Sequence, residues 1–163
     1  MTALHDMTAG ELLANYKAKK PSPVEAADAP IAHIGQWDPR LTALYAPDFD
    51  GARKAAEASE KRWQAGKPQG SLDGVPITIK ENIATKGVPV PLGTAATDLV
   101  PAADDAPAAA RVREAGAVIL AKTTMPDYGM LSSGRSSFHP LTRNPWNLAW
   151  NPGGSCAGAG PAG

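Results

Sequence analysis

Apolar positions near the start of the chain recur at the spacing of an α-helix. Leu12, Leu13 and Tyr16 lie three to four residues apart or side by side and would share one inward face. Thr8 and Glu11 are three residues apart, so that each side chain can accept a hydrogen bond from the backbone N–H of the other, as in the capping box that begins many helices. The pattern predicts a helix over residues 8–19.

A second helix is predicted to begin at Ser22. Glu25 completes another capping box, and Pro23 takes the first helical position, where the N–H that proline lacks would have no partner. The helix should run toward Gly35. Pro30 fits poorly inside it, because proline removes a hydrogen bond and crowds the preceding turn.

The pattern changes after a third predicted helix over residues 50–66. Residues 74–80 form a short β-rich run that ends on a charge, and residues 117–121 are almost entirely apolar, as in a strand buried on both faces. A helix near 105–116 lies between them. Strand, helix and strand in this order predict an α/β fold, in which helices pack against a parallel or mixed sheet.

Composition and charge exclude several functional classes. The chain has 163 residues, of which 43% are hydrophobic and 20% are charged, as in globular proteins. Its 16 Lys and Arg balance its 16 Asp and Glu, which gives no electrostatic reason to expect nucleic acid or an anionic membrane as a partner. No apolar run approaches the roughly 20 residues of a membrane span. Residues 1–20 lack a signal-peptide pattern, and the single cysteine, Cys156, fits a reducing compartment, so a cytoplasmic location is expected.

Lys80 ends the first predicted strand and is a candidate for chemistry. An isolated lysine at the end of a strand usually reaches solvent. The alternative is a partly buried side chain, because desolvation favours the neutral amine, and a neutral amine can act as a base. Glu81 and Asn82 follow directly, which favours a polar site at the end of the strand.

A glycine-rich loop over residues 153–160 is the second candidate. It lacks the Gly-x-x-x-x-Gly-Lys-Ser/Thr sequence of a phosphate-binding loop, and Ala157 replaces the last glycine of a Gly-x-Ser-x-Gly nucleophile turn. A phosphate-binding α/β domain therefore rests on glycine count alone. Ser155 and Cys156 are the nucleophilic side chains of the loop. Cys156 has no obvious histidine partner, so a small buried thiol is expected there.

The three histidines show no metal-binding pattern. His5, His33 and His139 are scattered along the chain without the spacing of metal ligands. Roles in packing or at the surface are therefore expected for them.

Four segments together resemble the amidase signature family, in the order that the family has them. Residues 74–82 (GVPITIKEN) resemble its lysine motif, and residues 115–123 (AGAVILAKT) resemble the apolar strand that follows. Residues 143–147 (RNPWN) and 151–155 (NPGGS) resemble the approach to its glycine- and serine-rich loop. Any one segment is a weak signal, whereas four in order are a strong one.

This resemblance implies a mixed sheet wrapped by helices, incomplete in this chain, and hydrolysis of carboxamides through an acyl-enzyme. The family uses a Ser–cis-Ser–Lys triad. By resemblance Lys80 is the lysine, and Ser155 is the bridging serine, which follows a cis peptide bond. The backbone that would hold the acyl part of a small-molecule amide substrate is expected at Gly129, Met130, Leu131, Ser132 and Ser133. No metal or cofactor is expected.

The attacking serine of the family is expected roughly two dozen residues after Ser155, in a turn that also supplies the oxyanion hole. Residues 1–163 are therefore expected to be the N-terminal part of a single domain, with a mainly helical lead-in over 1–69 and the sheet and site over 70–163. On this hypothesis the chain alone is inactive. A non-catalytic remnant or partner-binding fragment is the alternative, and a glutamine-amidotransferase subunit is a further one. The sequence indicates neither the substrate nor the oligomeric state.

Overall fold

Four α-helices and three β-strands make up the regular structure of residues 3–162, the part of the chain that this computed structural model describes. In chain order they are α1 (Ala9–Lys17), α2 (Pro23–Leu41), β1 (Leu44–Tyr45), α3 (Phe49–Gln64), β2 (Pro76–Lys80), α4 (Pro107–Glu114) and β3 (Val118–Thr123). Short 3-10 turns cover Leu4–Asp6 and Asp127–Gly129. Each predicted helix and strand is present, whereas β1 was not predicted. Within residues 3–162 no helix has both the length and the apolar character needed to cross a membrane.

The two predicted capping boxes are confirmed. The backbone N–H of Thr8 donates to Glu11 at 2.7 Å, and the Glu11 N–H donates to the Thr8 hydroxyl at 3.3 Å. At the start of α2 the Ser22 N–H donates to Glu25 at 2.8 Å, and the Glu25 N–H donates to the Ser22 hydroxyl at 3.2 Å. Both helices therefore begin where local hydrogen bonding favours a start.

The predicted end of the second helix is wrong. α2 passes through both Pro30 and Gly35 and ends only at Leu41. Its end coincides with a local acceptor, because the carboxylate of Asp38 accepts the backbone N–H of Ala43 at 2.7 Å. That bond gives the N–H a partner outside the helix, so the chain can leave the helical path there.

The sheet is mixed, as predicted, with strand order β1-β3-β2. β1 runs antiparallel to β3 and pairs Leu44 with Thr123. Next to β2, the Val118 N–H donates to the Val75 carbonyl at 2.8 Å, and the Glu81 N–H donates to the Thr123 carbonyl at 3.1 Å. Residue numbers increase together along these two contacts, which is the parallel arrangement that a helical crossover such as α4 produces.

The chain divides into two compact units. The first contains residues up to 35, 48–77 and 110–120, and the second contains residues 36–47, 78–109 and from 121 onward. The predicted site residues, Lys80, 129–133 and Ser155, all belong to the second unit.

The core of the first unit forms around Tyr16. Its side chain is 1% exposed, clusters with Leu12 and Ala26, and donates a hydrogen bond to the carbonyl of Gly74 at 3.0 Å. Burial raises the pKa of Tyr16, and the negative charge of Asp73 raises it further. The phenol therefore stays protonated in a position where its hydroxyl is needed as a donor.

A buried ion pair also belongs to the first unit. The side chain of Asp73 is fully buried and accepts from the Arg62 guanidinium at 3.0 Å and from the Gln69 N–H at 2.8 Å. Burial alone would raise the pKa of Asp73, but these hydrogen bonds outweigh it and hold that pKa below its usual range. The carboxylate is thus charged and paired.

Most of the buried polar side chains lie in the second unit. They include Glu81, Thr85, Thr94, Lys122, Thr124, His139 and Thr142. The hydroxyls of Thr124 and Thr142 lie 2.8 Å apart, and that of Thr142 also donates to the Thr42 carbonyl at 3.0 Å. Buried polar groups need hydrogen-bond partners. Several of these side chains lie near Lys80, at the end of β2.

Candidate active site

Lys80 and Ser155 converge at the end of β2, as predicted. The Lys80 Nζ donates a hydrogen bond to the Ser155 Oγ at 2.9 Å, and both side chains are half-buried. Nζ also lies 3.4 Å from the Sγ of Cys156. The amine therefore contacts the two nucleophilic side chains of the glycine-rich loop, although 75 residues separate it from Ser155 along the chain.

The shape of the loop depends on its glycines. Gly153 has φ of +87°, a left-handed conformation that glycine adopts readily, and the Gly154–Ser155 peptide bond is cis, as the family resemblance implied. A Cβ added to Gly154 would lie 2.4 Å from the Leu131 carbonyl oxygen and 2.7 Å from the Ser133 nitrogen. Only glycine fits at 154, because the loop lies directly against the backbone of residues 131–133.

The acyl-side segment, which we define as residues 129–133, lies beside Ser155. A Cβ added to Gly129 would lie 3.8 Å from the Ser155 Oγ, which is ordinary contact distance. Met130 and Leu131 are 81% and 47% exposed. The structure therefore brings this segment to the serine hydroxyl with apolar side chains open to solvent. Its predicted role in binding the acyl group stays a prediction.

The prediction of a buried thiol at Cys156 is wrong, because Cys156 is exposed. The loop turns inward one residue later, at Ala157, which is 1% exposed. A Cβ on Gly158 would lie 2.1 Å from the Ala43 carbonyl oxygen, so this part of the loop takes the buried position.

The residue that follows Lys80 in the sequence, Glu81, carries a buried carboxylate. Glu81 is 0% exposed, and its Oε1 accepts the Gly93 N–H at 2.6 Å. Its Oε2 is in very close contact with the Nε2 of His139, which is 8% exposed. The sequence placed a polar site at this strand end, but nothing in it linked His139 to Glu81, since 58 residues separate them.

The side chain of Lys122 is also buried in this unit, although the sequence analysis did not single it out. It is 2% exposed, and its Nζ donates to the carbonyl of Ile83 at 2.6 Å. Burial lowers the pKa of Lys122 to about 8, although attraction to Glu81 and Asp105 opposes the shift. The signal available in the sequence was the position of Lys122 directly after the apolar run 117–121, because a lysine on a strand buried on both faces is unusual.

The other two histidines, His5 and His33, are distant from the site residues in the sequence. His5 and His33 stack with their ring centroids 4.3 Å apart, in the first unit. Within residues 3–162, no three His, Cys, Asp or Glu side chains come close enough together to hold a metal ion. The amine of Lys80 and the hydroxyl of Ser155, at a distance of 2.9 Å, can exchange a proton.

Known proteins are similar to this chain in both sequence and fold. The Amidase family matches residues 25–162. The A subunit of a glutamyl-tRNA(Gln) amidotransferase from Geobacter metallireducens is 39% identical over 159 residues, which are 98% of this chain and 33% of that protein. A bacterial aryl acylamidase of the amidase signature family has a TM-score of 0.86 at 34% identity, over 97% of this chain and 33% of that one. The peptide amidase of Stenotrophomonas maltophilia has a TM-score of 0.85 at 29% identity, over 94% of this chain and 33% of that one.

The extent of these matches decides the family. The chain spans about a third of the length of the curated relatives that it matches. The family match nevertheless extends over most of the chain, and the mixed sheet superposes on solved amidases. The chain therefore belongs to the amidase signature family.

Proposed function

We propose that Lys80 and Ser155 form the proton relay of a carboxamide hydrolase. The observation that carries the proposal is the hydrogen bond of 2.9 Å between the Lys80 Nζ and the Ser155 Oγ. At that distance a proton can pass between hydroxyl and amine without a rearrangement of the backbone. Membership of the family supports the same chemistry, since its solved members include an aryl acylamidase and a peptide amidase.

The proposed reaction moves protons through both side chains. A further serine, which the family resemblance puts after Ser155 in the chain, attacks the carbonyl carbon of the amide. Its proton passes to the Ser155 Oγ while the hydroxyl proton of Ser155 passes to the neutral amine of Lys80. The same path in reverse delivers a proton to the leaving nitrogen as the C–N bond breaks. Water then hydrolyses the serine ester, which releases the carboxylic acid and restores the serine.

The acyl-side segment is proposed to hold the acyl part of a small-molecule amide. Gly129 supports this role, because its backbone lies in contact range of Ser155 without a side chain in between. The exposed side chains of Met130 and Leu131 could cover an apolar acyl group. The mechanism uses side-chain hydroxyls and an amine, so it needs no metal or cofactor.

A second candidate is amide-nitrogen transfer within an amidotransferase. The observation that favours it is the 39% identity to the A subunit of a glutamyl-tRNA(Gln) amidotransferase, over 98% of this chain. Both candidates break an amide through the same relay. They differ in what happens to the nitrogen, which hydrolysis releases and transfer passes to a second substrate.

Location and partners are proposed from composition. The single cysteine supports a cytoplasmic location, and the balanced charge gives no reason to propose that this chain itself binds nucleic acid.

The test uses the protein at its natural length, assayed with an aryl anilide and with glutamine. Lys80→Met and Ser155→Ala should each lower kcat by about 10²–10⁴-fold, the usual worth of a positioned acid or base. Lys67→Met is the matched control, because Lys67 is an exposed lysine of the first unit. Recovery of the glutamine amide nitrogen on an added acceptor, rather than as free ammonia, would favour the amidotransferase. Activity within threefold of wild type in Lys80→Met would refute the relay.

The polypeptide of residues 1–163 is proposed to be inactive alone. The family resemblance assigns a relay to these residues but no attacking serine. A fluorophosphonate that labels reactive serines should therefore leave this polypeptide unlabelled. Labelling that disappears in Ser155→Ala would show instead that Ser155 attacks directly. Specific capture of a partner by an inactive natural-length protein would favour a non-catalytic binding role.

A further inference from the structure

The carboxyl group of Glu81 joins three separate segments of the second unit. It follows Lys80 directly, at the end of β2, and is completely buried. One oxygen accepts the Gly93 N–H at 2.6 Å, and the other contacts the His139 ring. A buried carboxylate is stable only when such partners replace the water it has lost, so these contacts hold all three segments together.

Glu81 anchors a loop, residues 92–93. This loop supports the short turn that leads into the acyl-side segment. The Leu92 carbonyl accepts the Tyr128 N–H at 2.7 Å. Gly93 has φ of +68°, and a Cβ there would lie 2.4 Å from the Pro126 carbonyl oxygen. The 92–93 loop and the 126–128 turn are therefore in direct backbone contact, and the residue that follows this turn is Gly129, beside Ser155.

His139 holds the same loop by a second route. Its backbone N–H donates to the Ser136 hydroxyl at 2.8 Å, and that hydroxyl donates to the Gly93 carbonyl at 2.6 Å. The ring meets Glu81 through Nε2, which must carry the hydrogen when the carboxyl group is ionised. His139 thus contacts Glu81 directly and is linked to Gly93 through the Ser136 hydroxyl.

We propose that His139 and Glu81 are positioning residues for the Lys80–Ser155 pair. Glu81 fixes the strand end from which Lys80 extends, and through the 92–93 loop it fixes the backbone against which Ser155 lies. Neither side chain touches the reacting atoms in this arrangement. The inference rests on the proposed relay for its catalytic consequence, but the anchoring itself can be measured without turnover.

The experiment compares His139→Leu with His139→Gln in the protein at its natural length. Leucine removes the donor to Glu81, whereas the side-chain amide of glutamine places an N–H near the position of Nε2. Two readouts are taken: hydrogen–deuterium exchange of peptides covering residues 90–95 and 126–131, and kcat and KM for the amide substrate. Thr8→Ala is the matched control, since it removes the capping hydroxyl of a helix in the first unit at a similar cost in stability.

His139→Leu should raise exchange in both peptides about tenfold or more and lower kcat by a similar factor, because hydrogen bonds to charged groups are worth that much. KM should change less than twofold. His139→Gln should restore both quantities, and Thr8→Ala should leave kcat unchanged. If His139→Leu does not fold, Glu81→Gln replaces it: the amide still accepts the Gly93 N–H but loses the charge, and the same two readouts should move in the same direction.

Three results of the exchange and rescue measurements would overturn the proposal, and a fourth comes from kcat. The first three are exchange that is unchanged in these peptides, exchange that rises equally throughout the protein, and a glutamine variant that behaves like the leucine variant. Raised local exchange with unchanged kcat would reduce the pair to a structural role and also overturn it. If the wild-type protein hydrolyses no amide, the proposed function fails, and the exchange data alone decide whether His139 and Glu81 anchor the two segments.

Discussion

The stability of this protein should rise with pH between about 8 and 10 because of Lys122. Its side chain is 2% exposed, and its pKa is lowered from 10.5 to about 8, chiefly by burial. Below pH 8 the amine is protonated in both the folded and the unfolded chain. Between pH 8 and 10.5 the unfolded chain keeps a proton that the folded chain has lost. The unfolded state then binds more protons, so the free energy of unfolding increases as the pH rises.

The magnitude follows from the width of this window. Each pH unit across which one proton separates the two states contributes about 1.36 kcal/mol, so two units give at most about 2.7 kcal/mol. Above pH 10 the trend should reverse. Burial raises the pKa of Tyr16 and of Tyr45, and negative charge nearby raises both further. The folded protein therefore keeps phenolic protons that the unfolded chain releases, and stability falls.

The assay is urea unfolding, followed by circular dichroism at pH values from 7.5 to 10.5. With an m-value of about 2 kcal/mol per molar, the predicted gain moves the midpoint upward by about 1 M between pH 8 and 10. Lys122→Met is the control, because it keeps an apolar stem of similar length and removes the titrating amine. The free energy of unfolding of Lys122→Met should be nearly constant between pH 8 and 10. A wild-type curve that is flat or falls from pH 8 to 10, or a slope that persists in Lys122→Met, would refute the reasoning.

Three substitutions test other parts of the structure. Gly154→Ala places a Cβ 2.4 Å from the Leu131 carbonyl oxygen, so the loop must shift. A displacement near 1 Å should lower kcat by about 10²-fold, as measured by an anilide assay of the natural-length protein. Arg62→Met leaves Asp73 charged and unpaired in the core and should lower the free energy of unfolding by about 3–5 kcal/mol in urea titrations. Thr8→Ala removes the hydroxyl of a capping box and should cost about 1 kcal/mol by the same method, with kcat unaffected.

The elements that the sequence determined are those whose causes are local. The capping boxes at Thr8 and Ser22 fix helix starts through partners three residues away, and both are present. The apolar run at 117–121 and the β-rich run at 74–80 identified two neighbouring strands of the sheet. The helix α2 shows the limit of such reasoning, because its end depends on the carboxylate of Asp38 rather than on the helix breakers inside it.

The pairing of Lys80 with Ser155 was available from the sequence only through the family resemblance. Composition and periodicity singled out each residue separately, but no local rule brings together side chains 75 positions apart. The resemblance supplied the pairing and the cis peptide bond, and the structure contains both.

Tertiary structure alone decided the surroundings of this pair. β1, only two residues long, has no strand pattern of its own and exists because it pairs with β3. The exposure of Cys156 follows from the inward turn at the next residue. The burial of Glu81 against His139 joins residues 58 positions apart whose local sequences carry no common signal. Burial and long-range hydrogen bonds depend on how the whole chain packs, which a pattern read over a few neighbouring residues does not contain.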